Sequence, residues 1–285
     1  MKIKITSDST CDLSKELLEQ FDISTIALYV VKDGKEYQDG VNIWPNDIYS
    51  HVDGGGAMCS TQAMNMAGYA DLFEQYSKDF DAVIHINIGA GFSSSHQNAC
   101  IAAQDFDNVY VVDSKNLSTG QGHVVLAAAE MAAQGMDAKD IVDALNNDII
   151  PRVDASFILD NLKYLAKGGR CSAVVALGAN ILGIKPCIEV NNSHMGVGKK
   201  YRGPFQKCLA QYVTDKLKDR GDIRPHRIFI THSGTSDENL ELVKGLVNDY
   251  YKFDNVDITV AGCTVSCHCG YNTIGVLFVG ENPKA

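Results

Sequence analysis

The first 150 residues of this 285-residue chain contain no arginine. They hold 8 lysines and 22 acidic residues, whereas residues 151–285 hold all six arginines among 17 basic and 13 acidic residues. Non-specific nucleic-acid binding needs a broad basic surface, and a chain with a formal net charge of −10 lacks one. We therefore expect no nucleic-acid partner, and we expect any phosphate or acidic protein partner to meet the second half.

The chain also lacks long hydrophobic runs and a cysteine framework. Its most apolar helical segment, residues 123–136, is interrupted by Glu130 and is too short to span a bilayer. Met1 leads directly into a strand-like segment instead of a secretory leader. The nine cysteines are an odd number without paired spacing, which is typical of reduced thiols. These features predict a cytoplasmic protein.

Nucleotide-binding motifs are missing or incomplete. The sequence contains no Walker A motif. Gly89-x-Gly91-x-x-Ser94 follows a predicted strand, and Asp113 ends the next strand, which together approximate a dinucleotide fingerprint. The third glycine is absent, so a nucleotide-binding regulator stays a less favoured alternative.

Metal and hydrolase motifs are equally incomplete. Cys267, His268 and Cys269 are adjacent, and in extended chain the histidine would point away from its neighbours. No second ligand pair matches them, so we expect no metal and no cofactor. No G-x-S-x-G elbow is present, and only a chance meeting of Ser93, His268 and Asp8 would form a triad. An enzyme that uses a Ser/Thr/His cluster on an acyl or phosphorylated substrate therefore remains the second alternative.

Hydrophobic periodicity predicts an α/β protein of two domains, divided near Pro151 into residues 1–150 and 151–285. Apolar residues make up 45% of the chain, as in globular proteins. The first half alternates strands and helices, which favours a mainly parallel sheet flanked by helices, and the second half is predicted to form another α/β domain. The predicted strands are 2–7, 24–31, 82–88, 109–112, 187–190, 198–202, 227–231, 257–261 and 273–279. The predicted helices are 13–21 (capped by Asp12), 62–80, 94–106, 118–134, 138–149, 155–166, 205–220 and 238–251, and 32–57 is predicted as loop.

Three hydroxyl-rich clusters of the first half follow predicted strands, and a fourth, at residues 60–62, opens the predicted helix at 62. They are Ser7-Asp8-Ser9-Thr10, Ser60-Thr61-Gln62, the segment 89–95, and Asp113-Ser114-Lys115. The carboxyl ends of parallel strands meet at one edge, where hydroxyls and helix N-termini suit an anion. Each cluster alone is also explained by helix capping, so it is their number that favours a ligand site at this edge.

Short motifs in a fixed order along nearly the whole chain resemble the DegV family of bacterial fatty-acid-binding proteins, of the type that serves as the B subunit of fatty acid kinase. The motifs are Thr6-Ser7-Asp8-Ser9-Thr10-Cys11-Asp12-Leu13, Ser60-Thr61-Gln62, Phe92-Ser93 with Gln97 and Ala99, Val111-Val112-Asp113-Ser114-Lys115, Gly120-Gln121-Gly122, Leu162-Lys163-Tyr164-Leu165-x-Lys167-Gly168-Gly169-Arg170, Ile184-Lys185-Pro186, Arg202, Thr231-His232-Ser233-Gly234, and His268-x-Gly270 with Gly275.

The resemblance implies a two-domain α/β fold that buries one long-chain fatty acid, with the carboxylate at the domain interface and the last segment returning to that interface. It implies a carboxylate site formed by Thr61, Ser93, His268 and Gly275. It also places Arg170 and Arg202 beside the head group or facing a partner. The further candidates are Ser60, Gln62, Ser94, Ser95, Ser114 and Tyr271. In place of the family's usual Pro-Gly after Gly270 the chain has Tyr271-Asn272, and since asparagine adopts left-handed conformations the turn is expected to survive.

By the same resemblance the protein is not itself a catalyst. A partner kinase subunit would phosphorylate the bound carboxylate to an acyl phosphate that feeds phospholipid synthesis, with transient membrane contact for lipid exchange. Apolar helix faces are candidates for the wall of an acyl tunnel, although each residue is also explained as ordinary core. These candidates are Val124, Val125, Leu126, Ile158, Leu159, Leu162, Ile181 and Leu182.

Overall fold

The computed structural model describes residues 1–176 and 183–284, and it shows a mixed α/β fold built on three sheets. Its helices are α1 (Lys15–Gln20), α2 (Pro45–Asp53), α3 (Met66–Ser77), α4 (Ser95–Ala102), α5 (Ser118–Ala133), α6 (Ala138–Ala144), α7 (Lys163–Gly168), α8 (Ser172–Ala176), α9 (Phe205–Leu217), α10 (Asp237–Tyr250) and α11 (Cys263–Cys269). In the described part of the chain, none of the helices is long and apolar enough to cross a membrane.

The first sheet is parallel, with its strands in the order β2-β1-β6-β7. These strands are β1 (Ile3–Asp8), β2 (Ile23–Ile26), β6 (Ala82–Asn87) and β7 (Val109–Asp113). All six residues of β6 are buried, because α3 and α4 cover one face of the sheet and α5 and α6 the other. The predicted parallel sheet with flanking helices is therefore confirmed.

Two further sheets complete the fold. A small antiparallel sheet has the order β4-β3-β5 and contains β3 (Tyr29–Lys32), β4 (Lys35–Gln38) and β5 (Ser60–Gln62). A six-stranded mixed sheet has the order β10-β9-β8-β13-β11-β12. Its strands are β8 (Val153–Leu159), β9 (Ile184–Asn191), β10 (His194–Arg202), β11 (Ile223–Ser233), β12 (Asn255–Val260) and β13 (Thr273–Gly280). The strands thus divide between residues before and after 150, and a division into two domains there stays a prediction.

Helix α5 lies between the parallel sheet and the six-stranded sheet. Eleven of its sixteen residues are buried, so it has no polar face, as expected for a helix covered on all sides. Two glycines allow this close packing. A Cβ on Gly120 would come within 3.1 Å of Ala155 in β8, and one on Gly122 within 2.8 Å of the carbonyl oxygen of Cys11. Helices α9 and α10 cover the opposite face of the six-stranded sheet.

The structure corrects the predicted helix at 155–166. Residues 153–159 form the central strand β8, which pairs with β9 and β13, and only α7 is helical. Six of the seven residues of β8 are buried, since helices cover both faces of the sheet. A strand buried on both faces reads as a continuous apolar run, which periodicity alone does not separate from a buried helix.

Other predicted boundaries near the site were also wrong. The strand expected at 24–31 is two strands, β2 and β3, in different sheets, and the expected loop at 32–57 contains β4 and α2. Residues 60–62 do not open a helix but form β5, and α3 starts after Asn65, whose Oδ1 accepts from the Gly68 amide at 2.9 Å. Helix α1 is capped by Ser14 instead of Asp12, which is buried with φ 51°. Residues 263–269 form helix α11, which sequence reasoning missed.

Candidate functional site

A cavity of about 60 Å³ lies where strand β5, the turn after β6, helix α7 and helix α11 come together. Its polar or charged lining residues are Thr61, Gln62, Ser93, Arg170, Thr264 and His268, and its other lining residues are Leu28, Ala63, Ile88, Phe92, Leu117, Leu165, Met195, Val265 and Cys269. Among these described residues, Arg170 is the only one with a permanent formal charge. The cavity therefore combines one positive charge and several hydroxyls with a largely apolar wall.

Thr61 and His268 are joined across the cavity although they lie 207 positions apart in sequence. Thr61 is the central residue of β5, and its Oγ1 lies 2.9 Å from Nε2 of His268 on α11. The two residues that the sequence assigned to the carboxylate site from opposite ends of the chain are thus brought into contact. This contact places α11, from the second half of the chain, against β5 of the first half.

His268 is held neutral by its surroundings. Burial, with a smaller contribution from the positive charge of Arg170, lowers the pKa of His268 to about 4. Its Nδ1 is buried without a hydrogen-bond partner, and a Cβ on Gly168 would lie 2.3 Å from that atom. The imidazole ring therefore fits in this position because Gly168 has no side chain.

Arg170 lies just beyond α7 on the exposed side of the same cavity. Its Nη1 donates to the carbonyl oxygen of Gly168 at 2.8 Å, and the side chain remains solvent-accessible. A short turn through Gly169, with φ 69°, connects the helix to the arginine. This local bond turns the guanidinium back toward the helix end, where it also faces His268.

Ser93 lines the cavity from the turn that follows β6. Its Oγ lies 2.9 Å from the Oγ of Ser95 and accepts from the Ser95 amide at 3.2 Å. Ser95 is buried, and it does not line the cavity. These two hydrogen bonds to Ser95 therefore hold the Ser93 hydroxyl from behind.

Thr264 is a cavity residue that sequence reasoning missed. Its Oγ1 is buried without a hydrogen-bond partner, while its amide donates to Oδ2 of Asp39 at 2.9 Å. Asp39 also accepts from the Cys263 amide at 2.7 Å, so this carboxylate caps the N-terminus of α11. The signal available in the sequence was the helical spacing of Thr264 and His268, which becomes visible only when 263–269 is read as a helix.

A second cavity of about 30 Å³ lies between α5 and the six-stranded sheet. The two cavities share Leu117, Val265 and Cys269 as lining residues. Gly275 of β13 lines the second cavity instead of the first, so it lies away from the polar group of residues. A Cβ on Gly275 would come within 2.7 Å of the carbonyl oxygen of Ser156.

The residues expected to line an acyl tunnel are not the ones that the structure places at these cavities. Ile181 and Leu182 lie outside the described residues. The six others do not line either cavity: Val124, Val125, Leu126, Ile158, Leu159 and Leu162. They pack in the two large cores of the protein instead. Their burial is explained by ordinary core packing.

The remaining predicted site residues divide between the cavity and other places. Gln62 lines the cavity, Ser60 is exposed at the start of β5, and Ser94 is exposed at the start of α4. Ser114 is buried in a turn, where its Oγ donates to the carbonyl oxygen of Asn116 at 3.1 Å. None of the last three lines the cavity.

Tyr271 and Arg202 also lie outside the cavity. Tyr271 is 51% exposed, and its ring packs edge-on against that of Tyr49 with 5.7 Å between the ring centroids. Asn272 adopts φ 63°, which confirms the expected turn. Arg202 ends β10 and lines a shallow surface groove that also carries Lys199, Lys200 and Lys207. The structure therefore places Arg170 at the cavity and Arg202 on a separate basic surface.

The glycine turn after β6 does not form an open phosphate cradle. The Gly89 amide donates to the carbonyl oxygen of Asn116 at 2.7 Å, and the Ala90 amide donates to Oδ1 of Asp113 at 3.1 Å. A Cβ on Gly91 would lie 2.2 Å from the carbonyl oxygen of Ser193. These glycines allow close packing against the β9–β10 hairpin, and this removes the structural basis of the nucleotide alternative.

The structure also separates the residues named in the metal and triad alternatives. Cys267, His268 and Cys269 lie on helix α11 and point to different surroundings: Cys267 to the cluster around Tyr164, and Cys269 to the main core. In residues 1–176 and 183–284, no group of three or more His, Cys, Asp or Glu side chains is placed to hold a metal ion.

The side chains proposed for a triad have separate partners. Asp8 accepts from Tyr69 and from the Ile88 amide, whereas His268 contacts Thr61. Ser93 contacts Ser95. The structure therefore shows a set of hydroxyl donors without a relay from an acid through a histidine to a serine.

Comparisons with known proteins agree on one family. Residues 2–281 match the family described as "Uncharacterised protein, DegV family". A DegV domain-containing protein of Caldanaerobacter subterraneus subsp. tengcongensis is 31% identical over 280 residues, which are 97% of this chain and 98% of the relative. A DegV domain-containing protein of Clostridium acetobutylicum is also 31% identical over 280 residues, with 98% of each chain covered.

Solved structures show the same architecture. A DegV family protein from Thermus thermophilus superimposes with a TM-score of 0.90 at 24% identity, over 98% of this chain and 100% of that one. A stearic acid-binding protein from Eubacterium ventriosum gives 0.83 at 26% identity over 98% of both chains. DegV, a fatty acid binding protein from Bacillus subtilis, gives 0.80 at 26% identity over 98% and 99%. Since the family match and the relatives extend over almost the entire sequence, this chain belongs to the DegV family.

Proposed function

We propose that this protein binds one long-chain fatty acid, with the carboxylate among Thr61, Ser93, His268 and Arg170 and the tail directed toward the second cavity. The observation that carries the proposal is the cavity itself, which has hydroxyls and a single positive charge at one end and apolar side chains elsewhere. A fatty acid has the matching distribution, with one negative charge and a long apolar tail. The related proteins from Eubacterium ventriosum and Bacillus subtilis, which bind stearic acid and fatty acid respectively, support it.

The hydrogen-bond pattern at Thr61 suits a carboxylate. A neutral His268 with its proton on Nε2 donates to Thr61 Oγ1, so the hydroxyl hydrogen of Thr61 is free to donate to the ligand. Ser93 adds a second hydroxyl, and Arg170 adds the positive charge that balances the carboxylate. Hydrogen bonds to a charged group are about twice as strong as those between neutral groups.

The tail supplies most of the affinity in this proposal. Burial of a methylene group contributes about 0.8 kcal/mol, so the roughly 14 methylene groups of a 16-carbon fatty acid contribute about 11 kcal/mol before the costs of binding. The two neighbouring cavities are small in volume, so side chains that line them have to shift to admit the tail. Met195 and Phe92 line the first cavity and are only partly buried, and they are the side chains that we expect to move.

We further propose that the protein presents the bound carboxylate to a partner kinase in the cytoplasm and does not itself turn over the lipid. Arg170 is exposed at the cavity, which is where a phosphoryl group would have to approach the carboxylate. The basic surface of Lys199, Lys200, Arg202 and Lys207 offers a docking region of matching charge for an acidic face of that partner. The acyl phosphate then passes to phospholipid synthesis.

Native mass spectrometry of the purified protein tests the binding proposal. We expect a retained mass of one long-chain fatty acid per chain, and we expect the delipidated protein to regain that mass when oleic acid is added. A clean protein mass that oleic acid leaves unchanged would refute the proposal. Steady hydrolysis of an acyl phosphate by the protein alone would instead favour the enzyme alternative.

A further inference from the structure

Two cysteines lie beside the Thr61–His268 contact, one on each of the elements that the contact joins. Cys59 directly precedes β5, and Cys267 is the neighbour of His268 on α11. Cys267 belongs to the apolar cluster around Tyr49 and Tyr164, and Cys59 packs against the same cluster. Each thiol is also the strongest influence on the pKa of the other, which places the two sulfur atoms close together.

The surroundings of Cys59 differ from those of every other thiol in the chain. The interaction with the Cys267 thiol, followed by the electrostatic effects of the neighbouring His51 and Lys32 side chains, lowers the pKa of Cys59 to about 7, against the opposing effects of burial and of Asp33. The side chain is only half-buried, so solutes reach it. Burial contributes to a raised pKa for each of the other eight thiols. Reactive cysteines are typically exposed thiols in electropositive surroundings.

We propose that Cys59 and Cys267 form a redox-controlled disulfide that ties β5 to α11 at the polar end of the cavity. The oxidant is hydrogen peroxide. The Cys59 thiolate attacks the peroxide, the O–O bond breaks, and the products are a sulfenic acid on Cys59 and one water after protonation. The Cys267 sulfur then attacks the sulfenic sulfur, loses its proton and releases a second water. Two thiols thereby give two electrons to the peroxide.

The arrangement favours Cys267 as the resolving thiol. The largest cause of its raised pKa is the hydrogen bond with Cys59 itself, and the negative charge of Cys59 adds to it. Oxidation of Cys59 to the neutral sulfenic acid removes that charge and that bond. The second thiol therefore becomes easier to deprotonate at the step in which it is needed.

The consequence for the ligand rests on the proposed fatty-acid function. Thr61 is two residues from Cys59, and His268 is one residue from Cys267, so the disulfide fixes the separation of the two groups that hold the carboxylate. Exchange of the lipid requires β5 and α11 to move apart locally, and a covalent link opposes this motion. We therefore expect the oxidised protein to keep its fatty acid longer than the reduced protein.

The experiment treats the reduced full-length protein with a small excess of hydrogen peroxide and counts its thiols in denaturant. Titratable thiols are expected to fall from nine to seven, and peptide mapping without reduction is expected to join the peptides of Cys59 and Cys267. Cys59→Ser and Cys267→Ser abolish the link. Cys100→Ser leaves it unchanged, and this is the matched control because Cys100 is the other half-buried cysteine and has a raised pKa.

A second measurement follows the release of oleic acid from oxidised and reduced protein to phosphatidylcholine vesicles. Release is expected to slow by about tenfold in the wild type and to stay unchanged in Cys59→Ser. Thiol loss that persists in Cys59→Ser, or oxidation of Cys59 without a linked peptide, would overturn the disulfide. A linked protein with unchanged release would overturn the lipid control alone. Absence of oleic acid binding in the reduced protein would instead mark failure of the proposed function.

Discussion

Replacement of Thr61 by valine removes the hydroxyl group of the proposed carboxylate site while it preserves side-chain shape and strand preference. Thr61 Oγ1 lies 2.9 Å from His268 Nε2, and we propose that its hydrogen faces the ligand. Loss of one hydrogen bond to a charged group costs about 1.5–3 kcal/mol. We therefore expect Thr61→Val to weaken fatty-acid affinity by about 10- to 150-fold. Ser93→Ala is expected to weaken it within the same range.

Calorimetric titration of delipidated protein with oleic acid measures the effect. Thr214→Val is the matched control: it removes the hydroxyl of another partly buried threonine, whose Oγ1 donates to the carbonyl oxygen of Ala210 in α9 at 2.8 Å, and it does not line either cavity. Its affinity is expected to match that of the wild type. Affinities for Thr61→Val and Ser93→Ala that both stay within about twofold of wild type would place the carboxylate elsewhere.

Three further predictions test other parts of the site. Gly168→Ala places a Cβ 2.3 Å from His268 Nδ1, so it is expected to displace the imidazole ring and to weaken oleic acid binding by about tenfold. Gly245→Ala is the control: there is open space around its Cβ, so it is expected to preserve binding and to raise the melting temperature. The free energy of unfolding of the ligand-free wild type is expected to fall as pH falls from 6.5 to about 4, because His268 becomes protonated in the unfolded chain but stays neutral when it is buried. Urea unfolding of His268→Gln is expected to show a smaller loss over the same pH range. Equal losses in the two proteins would contradict this explanation. Arg202→Ala is expected to preserve oleic acid retention but to reduce acyl phosphate formation by a kinase partner, and the reverse result would relocate Arg202 to the pocket.

Part of the candidate site could be predicted from residue type and family motif. Thr61, Ser93, His268 and Arg170 line one cavity, as the resemblance implies, and Gln62 joins them. Gly275, Arg202 and Tyr271 do not line this cavity. A family motif indicates that a residue matters, but it does not indicate where the side chain lies in the fold. Thr264 was missed because its segment was read as extended chain and its hydroxyl belongs to no motif.

The errors in secondary structure have a common physical origin. Strand β8 was read as a helix because helices cover both of its faces, so its sequence has no alternation. Helix α11 was read as extended because it has seven residues and six of them are buried, which leaves no polar face to mark a helical period. Both elements depend on what packs around them, and local sequence does not contain that information.

Some properties of this protein follow from its sequence alone, and others follow only from its tertiary structure. The sequence alone determined that the first half has no arginine, that hydroxyl-rich segments follow its strands, and that alternating strands and helices form an α/β fold. Only the tertiary structure decided that Arg170 reaches the cavity while Arg202 lies on another surface, and that Cys59 packs against the cluster that contains Cys267. These contacts depend on how the buried faces of distant elements pack, because packing brings together residues whose separation in sequence exceeds 200 positions.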